Sequence, residues 1–276
     1  MDPTSPASAS ASIDGSELID PFEARFGGII RLYGVEAAWR LNQARVAVVG
    51  LGGVGSWVAE ALARSGVGCI RLIDLDDVCI TNVNRQVIAL ESTVGRFKAD
   101  VLCSRLRDIR CDGDFVAVQE FFTPDTADQL LQGPLDLVVD AIDDTSNKSH
   151  LIASCRERGV PVITCGGAGG RRDATRLRIA DLSRSASDGL LREVRRRLRK
   201  EYSFTDEGPW GVPCVYSDEA PWFPTPDPSP GGTSPLRLNC AGGLGSATHV
   251  TGSMGFMMAQ IALEHIVSPE RGRQNT

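Results

Sequence analysis

Between Arg45 and Gly170 the chain alternates short apolar runs with longer, mixed stretches. RVAVVG (45–50), CIRLIDL (69–75), DFVAVQEF (114–121), LDLVVDAI (135–142) and VPVITCGG (160–167) are rich in Val and Ile. Runs of this length and composition read as strands, most of them covered on both faces. The stretches 53–65, 95–109, 125–132 and 145–158 between them read as helices. The alternation predicts an α/β fold: a doubly wound, mostly parallel Rossmann-like sheet with helices on both faces. Right-handed crossovers then place every strand's C-terminal end on one edge, where ligands bind in such folds. Gly50 to Gly55, Asp74 and Asp76, Asp140 to Asp144, and Cys165 to Gly170 all follow predicted strands.

The pattern changes outside this core. Residues 1–20 are poor in large apolar groups and have no basic start, so a disordered tail is expected and not a secretory signal. Residues 21–276 are expected to form one domain, with the core at 45–170 and a C-terminal extension over 171–268. Residues 171–200 carry eleven Arg or Lys against four Asp or Glu, a local excess of seven positive charges. Leu190, Leu191, Val194 and Leu198 recur there at helical spacing. Residues 209–235 hold eight prolines and read as a long irregular loop. Residues 241–267 are weakly polar but broken by His249, Glu264 and His265, which suits a buried helix better than a membrane span.

The formal net charge of -6 confines any polyanion site to a local patch. The eight cysteines include no C-x-x-C pair, which disfavours a zinc ribbon, and their use fits a reducing cytoplasm.

Gly50, Gly52 and Gly55 satisfy G-x-G-x-x-G between a strand and a helix, a turn suited to phosphate. Asp74 ends the second strand, where a carboxylate accepts ribose hydroxyls. Up to this point a nicotinamide enzyme fits. Asn82 and Arg85 in TNVNRQ, and Lys98, then add polar and cationic groups that hydride transfer does not need. Displacement at the α-phosphate of a nucleoside triphosphate does need them, to stabilise developing negative charge. Asp143 is placed to hold Mg²⁺ against phosphate oxygens, and Asp144 to cap the next helix. Arg85, Lys98 and Asp143 are the expected catalytic set.

The constellation G-x-G-G-x-G, D-x-D, T-N-x-N-R-Q, Lys98 and D-A-x-D resembles the ATP-dependent adenylating superfamily that activates ubiquitin and bacterial sulfur-carrier proteins. Adding RFGGIIRLYG (25–34), TCGGAGG (164–170) and NCAGGLGSAT (239–248), the chain is similar to the tRNA threonylcarbamoyladenosine dehydratases. That resemblance implies ATP and Mg²⁺, with a K⁺ or Na⁺ ion a further candidate near the GGAGG and NCAGG turns. The implied reaction is adenylation of a threonylcarbamoyl carboxylate on the adenosine 3′ of the anticodon, followed by cyclodehydration. It also implies that Gly50, Gly52, Gly53 and Gly55 line the phosphates, with Asp74, Asp76, Asn82, Arg85, Lys98 and Asp143 around ATP. The partners implied are tRNA and not DNA, a second copy of the chain, and a cysteine desulfurase or other sulfur-acceptor system. Arg171, Arg172, Arg192, Arg195, Arg196, Arg199 and Lys200 are the candidate tRNA contacts. One departure concerns the R-x-x-R of sulfur-carrier activators: Gly28 stands at its second arginine, leaving Arg25 or Arg31 as the substitute. Activation of a sulfur-carrier protein's C-terminus is the alternative, and an NAD-dependent oxidoreductase a more distant one. A ubiquitin-activating enzyme would need an acyl-accepting thiol, for which Cys214 is the candidate, with a spectator thiol as the other reading.

Overall fold

The computed structural model describes residues 20–223 and 244–268. The expected tail, most of the proline-rich stretch beyond Phe223, and the NCAGG turn with Cys240 lie outside the described residues.

Seven strands form one sheet in the order β3-β2-β1-β4-β5-β7-β6. They are β1 (Arg45–Val49), β2 (Cys69–Ile73), β3 (Asp114–Val118), β4 (Leu137–Asp140), β5 (Val162–Cys165), β6 (Leu177–Asp181) and β7 (Pro213–Ser217). All neighbours run parallel except β6, which pairs antiparallel with β7. The predicted fold class is therefore present. Strand order reverses between β1 and β4, the switch point at which such sheets open a crevice.

Period-two alternation splits each strand between two cores. Val46 and Val48 face a cluster containing α3 (Gly55–Arg64), α4 (Lys98–Ile109) and α8 (Thr248–Val267). Ala47 and Val49 face another with α5 (Ala127–Leu130), α6 (Thr145–Arg158) and α7 (Gly189–Tyr202). Two N-terminal helices, α1 (Pro21–Tyr33) and α2 (Val35–Gln43), bury Phe22, Phe26 and Ala38 together.

The proline-rich loop expected over 209–235 is corrected at its start. Pro213 is the first residue of β7, where its missing N–H costs least, and Cys214 to Ser217 are buried between two strands. The helix expected within 241–267 is α8, and it packs inside the protein. Met254, Met258 and Ala262 have no exposed surface. Among the described residues no helix is long and apolar enough to cross a membrane. A Cβ on Gly255 would lie 2.8 Å from Trp57 Cβ, so the small residues of α8 serve close approach to α3.

Candidate active site

Val49 pairs with Ile73 on one side and Asp140 on the other. The segments after β1, β2 and β4 therefore leave the sheet level with one another. Gly50 has φ +87°, and a Cβ there would sit 2.8 Å from the Ala141 carbonyl oxygen. A Cβ on Gly55 would sit 1.9 Å from the Gly50 carbonyl oxygen. Backbone crowding dictates these two glycines. Gly52 differs, because the nearest atom to an added Cβ there, Gln86 Nε2, is 4.0 Å away. That glycine keeps the turn open above the start of α3, whose N-cap residue Val54 has no side-chain cap.

Asp74 is buried at the end of β2. Its Oδ2 accepts the Leu51 N–H (2.7 Å) and its Oδ1 the Asp76 N–H (2.8 Å), tying β2 to the glycine turn. Burial pushes its carboxyl above the usual range, opposed chiefly by the Lys98 charge. Lys98 opens α4. Its side chain is 8 % exposed, and its ammonium lies 2.7 Å from Oδ2 of Asp76, whose side chain is 53 % exposed. The cation is thus inside and its carboxylate partner faces out. Asn82 is buried and accepts the Cys79 N–H (3.1 Å), shaping the short turn Ile80–Asn82. Arg85 is half-buried and donates to the Thr81 carbonyl (2.8 Å). Its Cγ and Cδ would lie 3.3 and 3.4 Å from a Cβ on Gly53, so its stem crosses the glycine turn.

On the facing loop, Asp144 caps α6, accepting from Ser146 N (3.0 Å) and Asn147 N (2.8 Å). This leaves Asp143 exposed, two residues past the Ala141 carbonyl that crowds Gly50. Among the described residues no group of three or more His, Cys, Asp or Glu could hold a metal. Mg²⁺ bound through one or two carboxylates, phosphate oxygens and water needs no such cage, so Asp143 fits it.

This geometry has close counterparts. Residues 28–275 match the ThiF family. The chain is 42 % identical over 260 residues to the tRNA threonylcarbamoyladenosine dehydratase of Escherichia coli K12, covering 90 % of this chain and 96 % of that one. It is 41 % identical over 251 residues to the Haemophilus influenzae enzyme of the same name, covering 90 % and 95 %. The chain belongs to the ThiF family, among its tRNA threonylcarbamoyladenosine dehydratases. The E. coli dehydratase in complex with ATP superposes with a TM-score of 0.82 at 41 % identity, covering 92 % of this chain and 98 % of that one.

Within this dehydratase fold several expected residues take unexpected places. Cys214 is fully buried in β7, and desolvation pushes its thiol up to about 12. It is a spectator in the core. Cys214→Ala is expected to leave turnover unchanged and to cost about 1 kcal/mol of stability, read by activity and thermal unfolding.

The basic segment is also partly corrected. In α7, Leu191, Val194 and Leu198 point into the core, whereas Arg192, Arg196 and Lys200 are exposed. Arg195 reaches Ser185 Oγ, and Arg199 pairs with Asp206 and lies over the Trp210 ring at 5.0 Å. With Glu193, these five cations line an open concavity of about 550 Å³. Arg172 is exposed above Trp222, 4.5 Å from the ring centre. Arg171 does not share this surface. The turn after β5 tucks it inside at 4 % exposure, with Nη2 3.8 Å from Asp188 Oδ2. Outside the segment, Asp218 pairs with Arg176 (2.6 Å) and Arg178 (3.0 Å), so part of the excess of seven positive charges is neutralised. Arg25 is held by Asp112 of its own chain (3.0 Å), and Arg31 is exposed.

Sequence reasoning missed two buried groups, Lys148 and Asp188, and gave Asp140 no partner. Lys148 and Asp140 form an ion pair with no exposed surface. Asp188 caps α7 through the Leu191 N–H (2.9 Å) and also holds the Gly167 N–H (3.0 Å) after β5. SASDGLL does carry a cap signal for Asp188, but nothing local announces its reach back to Gly167.

Proposed function

We propose that this protein adenylates the carboxylate of the threonylcarbamoyl group on the adenosine 3′ of the tRNA anticodon and promotes its cyclodehydration. The observation that carries this is the convergence at one switch point of an open glycine turn, Asp74, Arg85, Lys98 and Asp143. ATP extends from Asp74 at its ribose, past Gly50 to Gly55, towards Arg85 and Lys98. Asn82 shapes the turn carrying Arg85, and Asp76 orients the Lys98 ammonium. Asp143 would hold Mg²⁺, which would supply charge neutralisation on the phosphates.

A substrate carboxylate oxygen attacks the α-phosphorus, and pyrophosphate leaves. The carbamoyl nitrogen then attacks the activated carbonyl carbon. AMP departs with one former carboxylate oxygen, and the nitrogen loses its proton. Because both reacting groups sit on one side chain, intramolecular geometry drives closure and no protein nucleophile is required. The burial of Cys214 is in keeping with that.

Arg172, Arg192, Arg195, Arg196, Arg199 and Lys200 form the tRNA-phosphate surface of this proposal, with Trp222 as a stacking platform beside Arg172. The double variant Arg196→Glu/Lys200→Glu is expected to weaken tRNA binding and flatten its salt dependence by about one unit per lost phosphate contact. ATP affinity stays unchanged. Filter binding over a salt series reads both; an unaltered slope removes α7 from the interface.

The monovalent cation belongs near the turn after β5, which meets the chain before α8: Gly170 N donates to the Gly245 carbonyl at 2.7 Å. A homodimer is supported by exposed Ile80, Val83, Val94 and Phe97 beside the site. A cysteine desulfurase or sulfur-acceptor partner, and a cytoplasmic location, rest on the family resemblance and the cysteine usage. The deciding experiment mixes protein, Mg-ATP and threonylcarbamoylated tRNA and seeks the cyclised nucleoside by mass spectrometry. ATP binding without cyclisation overturns the proposal.

A further inference from the structure

Lys148 Nζ lies 3.0 Å from Asp140 Oδ2, and both side chains are 0 % exposed. A pair buried this completely is a weak source of stability, because desolvation of two ions offsets their attraction. An apolar side chain in the first turn of α6 would serve packing at least as well. The hydrogen bonds of the pair show what else it does, for they converge on one residue. Asp140 Oδ1 accepts the Ile142 N–H at 3.1 Å, and Lys148 Nζ donates to the Ile142 carbonyl at 3.0 Å. Thr164 Oγ1, from β5, anchors Asp140 Oδ2 at 2.6 Å. Ala141 N donates to the Val49 carbonyl at 2.9 Å, locking the preceding residue to β1. Asp144 fixes the following residue as the α6 cap. The backbone is therefore held on both sides of Asp143, whose own carboxylate is exposed.

We propose that the buried Asp140–Lys148 pair is a positioning device that clamps Ile142 and so presents the Asp143 carboxylate to magnesium-bound nucleotide. This rests on the reading of Asp143 as the magnesium-holding carboxylate. Lys148 touches neither nucleotide nor metal in this arrangement. It acts through the main chain of Ile142, and its single ammonium satisfies Asp140 and the Ile142 carbonyl together. Partners that orient a metal-holding carboxylate typically contribute about 10–100-fold to metal affinity.

The test uses the full chain carrying Asp140→Asn together with Lys148→Met, which removes both charges and leaves neither ion buried alone. Mg²⁺ is titrated by calorimetry in the presence of a non-hydrolysable ATP analogue, and the analogue is titrated separately without metal. The double variant is expected to unfold near the wild-type midpoint, bind the metal-free analogue unchanged, and bind Mg²⁺ about 10–100-fold more weakly. A folded double variant with wild-type Mg²⁺ affinity overturns the inference. Asp143→Asn is measured alongside. If it keeps wild-type Mg²⁺ affinity, the magnesium reading fails and the inference with it. If it loses affinity while the double variant does not, only the positioning role fails. Should the double variant not fold, amide exchange on the unaltered protein decides. Protection of the Ile142 amide comparable to β4 supports the clamp, and exchange at the rate of an open loop overturns it.

Discussion

Lys98→Ala is expected to lower turnover about 10²–10³-fold, the usual effect of removing one preorganised group aimed at developing transition-state charge. Its stability cost is expected to be about 1 kcal/mol or less. The asymmetry follows from the geometry of the Asp76 pair. The lysine side chain is 8 % exposed, but that of Asp76 is 53 % exposed and is solvated by water once the lysine is gone, while buried Asp74, which also loses a neighbouring cation, keeps its two backbone N–H donors. Alanine is also an excellent first residue for α4. Rapid-quench measurement of AMP formation, with chemical denaturation of the same preparation, separates the two quantities. Unchanged turnover removes Lys98 from the site. Arg85→Ala is expected to behave in the same direction, since its guanidinium is held by local acceptors and its stem crosses Gly53.

Gly55→Ala and Gly52→Ala are expected to diverge, although both alter the same short turn. An alanine Cβ at position 55 meets the Gly50 carbonyl oxygen at 1.9 Å, so the turn must open or the start of α3 must shift. Destabilisation of about 3 kcal/mol and loss of ATP binding are expected, against the gain of up to about 1 kcal/mol that glycine-to-alanine normally brings in a helix. At position 52 the added methyl has nothing nearer than 4.0 Å. There the thermal midpoint stays near wild type while ATP affinity falls, because the methyl occupies the open space above the turn. Thermal unfolding and calorimetric ATP titration read both variants. Equal stability losses at the two positions would overturn the division of labour between structural and ligand-facing glycines.

Strands β1 to β5 were legible because their runs are apolar and the crossovers between them keep helical rhythm, whereas β6 was hidden in the basic segment, with Arg178 exposed within it. The helix read at 145–158 coincides with α6 (Thr145–Arg158), whose start is marked by Asp144. Gly50, Asp74, Lys98 and Asp143 were legible because each follows or opens an element at the ligand-bearing edge. β7 was hidden because a proline-rich stretch reads as a loop, and local pattern cannot reveal that β5 and β6 pair with it. Arg171 was misassigned because arginines in one basic run look equivalent until the turn after β5 folds one of them inward. Lys148 was overlooked for the opposite reason. TSNKSH reads as a polar first turn, where lysine is usually solvated, and its partner Asp140 lies a full loop away.

The last helix has a consequence for how the protein is made. Asn84 Nδ2 donates to the Ser246 carbonyl at 2.8 Å, Thr248 Oγ1 to the Asn84 carbonyl at 2.5 Å, and Thr251 Oγ1 to the Arg85 carbonyl at 3.3 Å. The main chain that carries Arg85 over the glycine turn is thus fastened by residues more than 160 positions later. At about 5–20 residues per second, a ribosome delivers those fasteners roughly ten seconds or more after Arg85 itself. Until α8 docks, Arg85 has only its earlier partners: Thr81 and Asn84 on its guanidinium, and Trp57 Nε1 on its carbonyl at 3.0 Å. Full anchoring of the Arg85 main chain is therefore expected only once α8 has been synthesised and has docked.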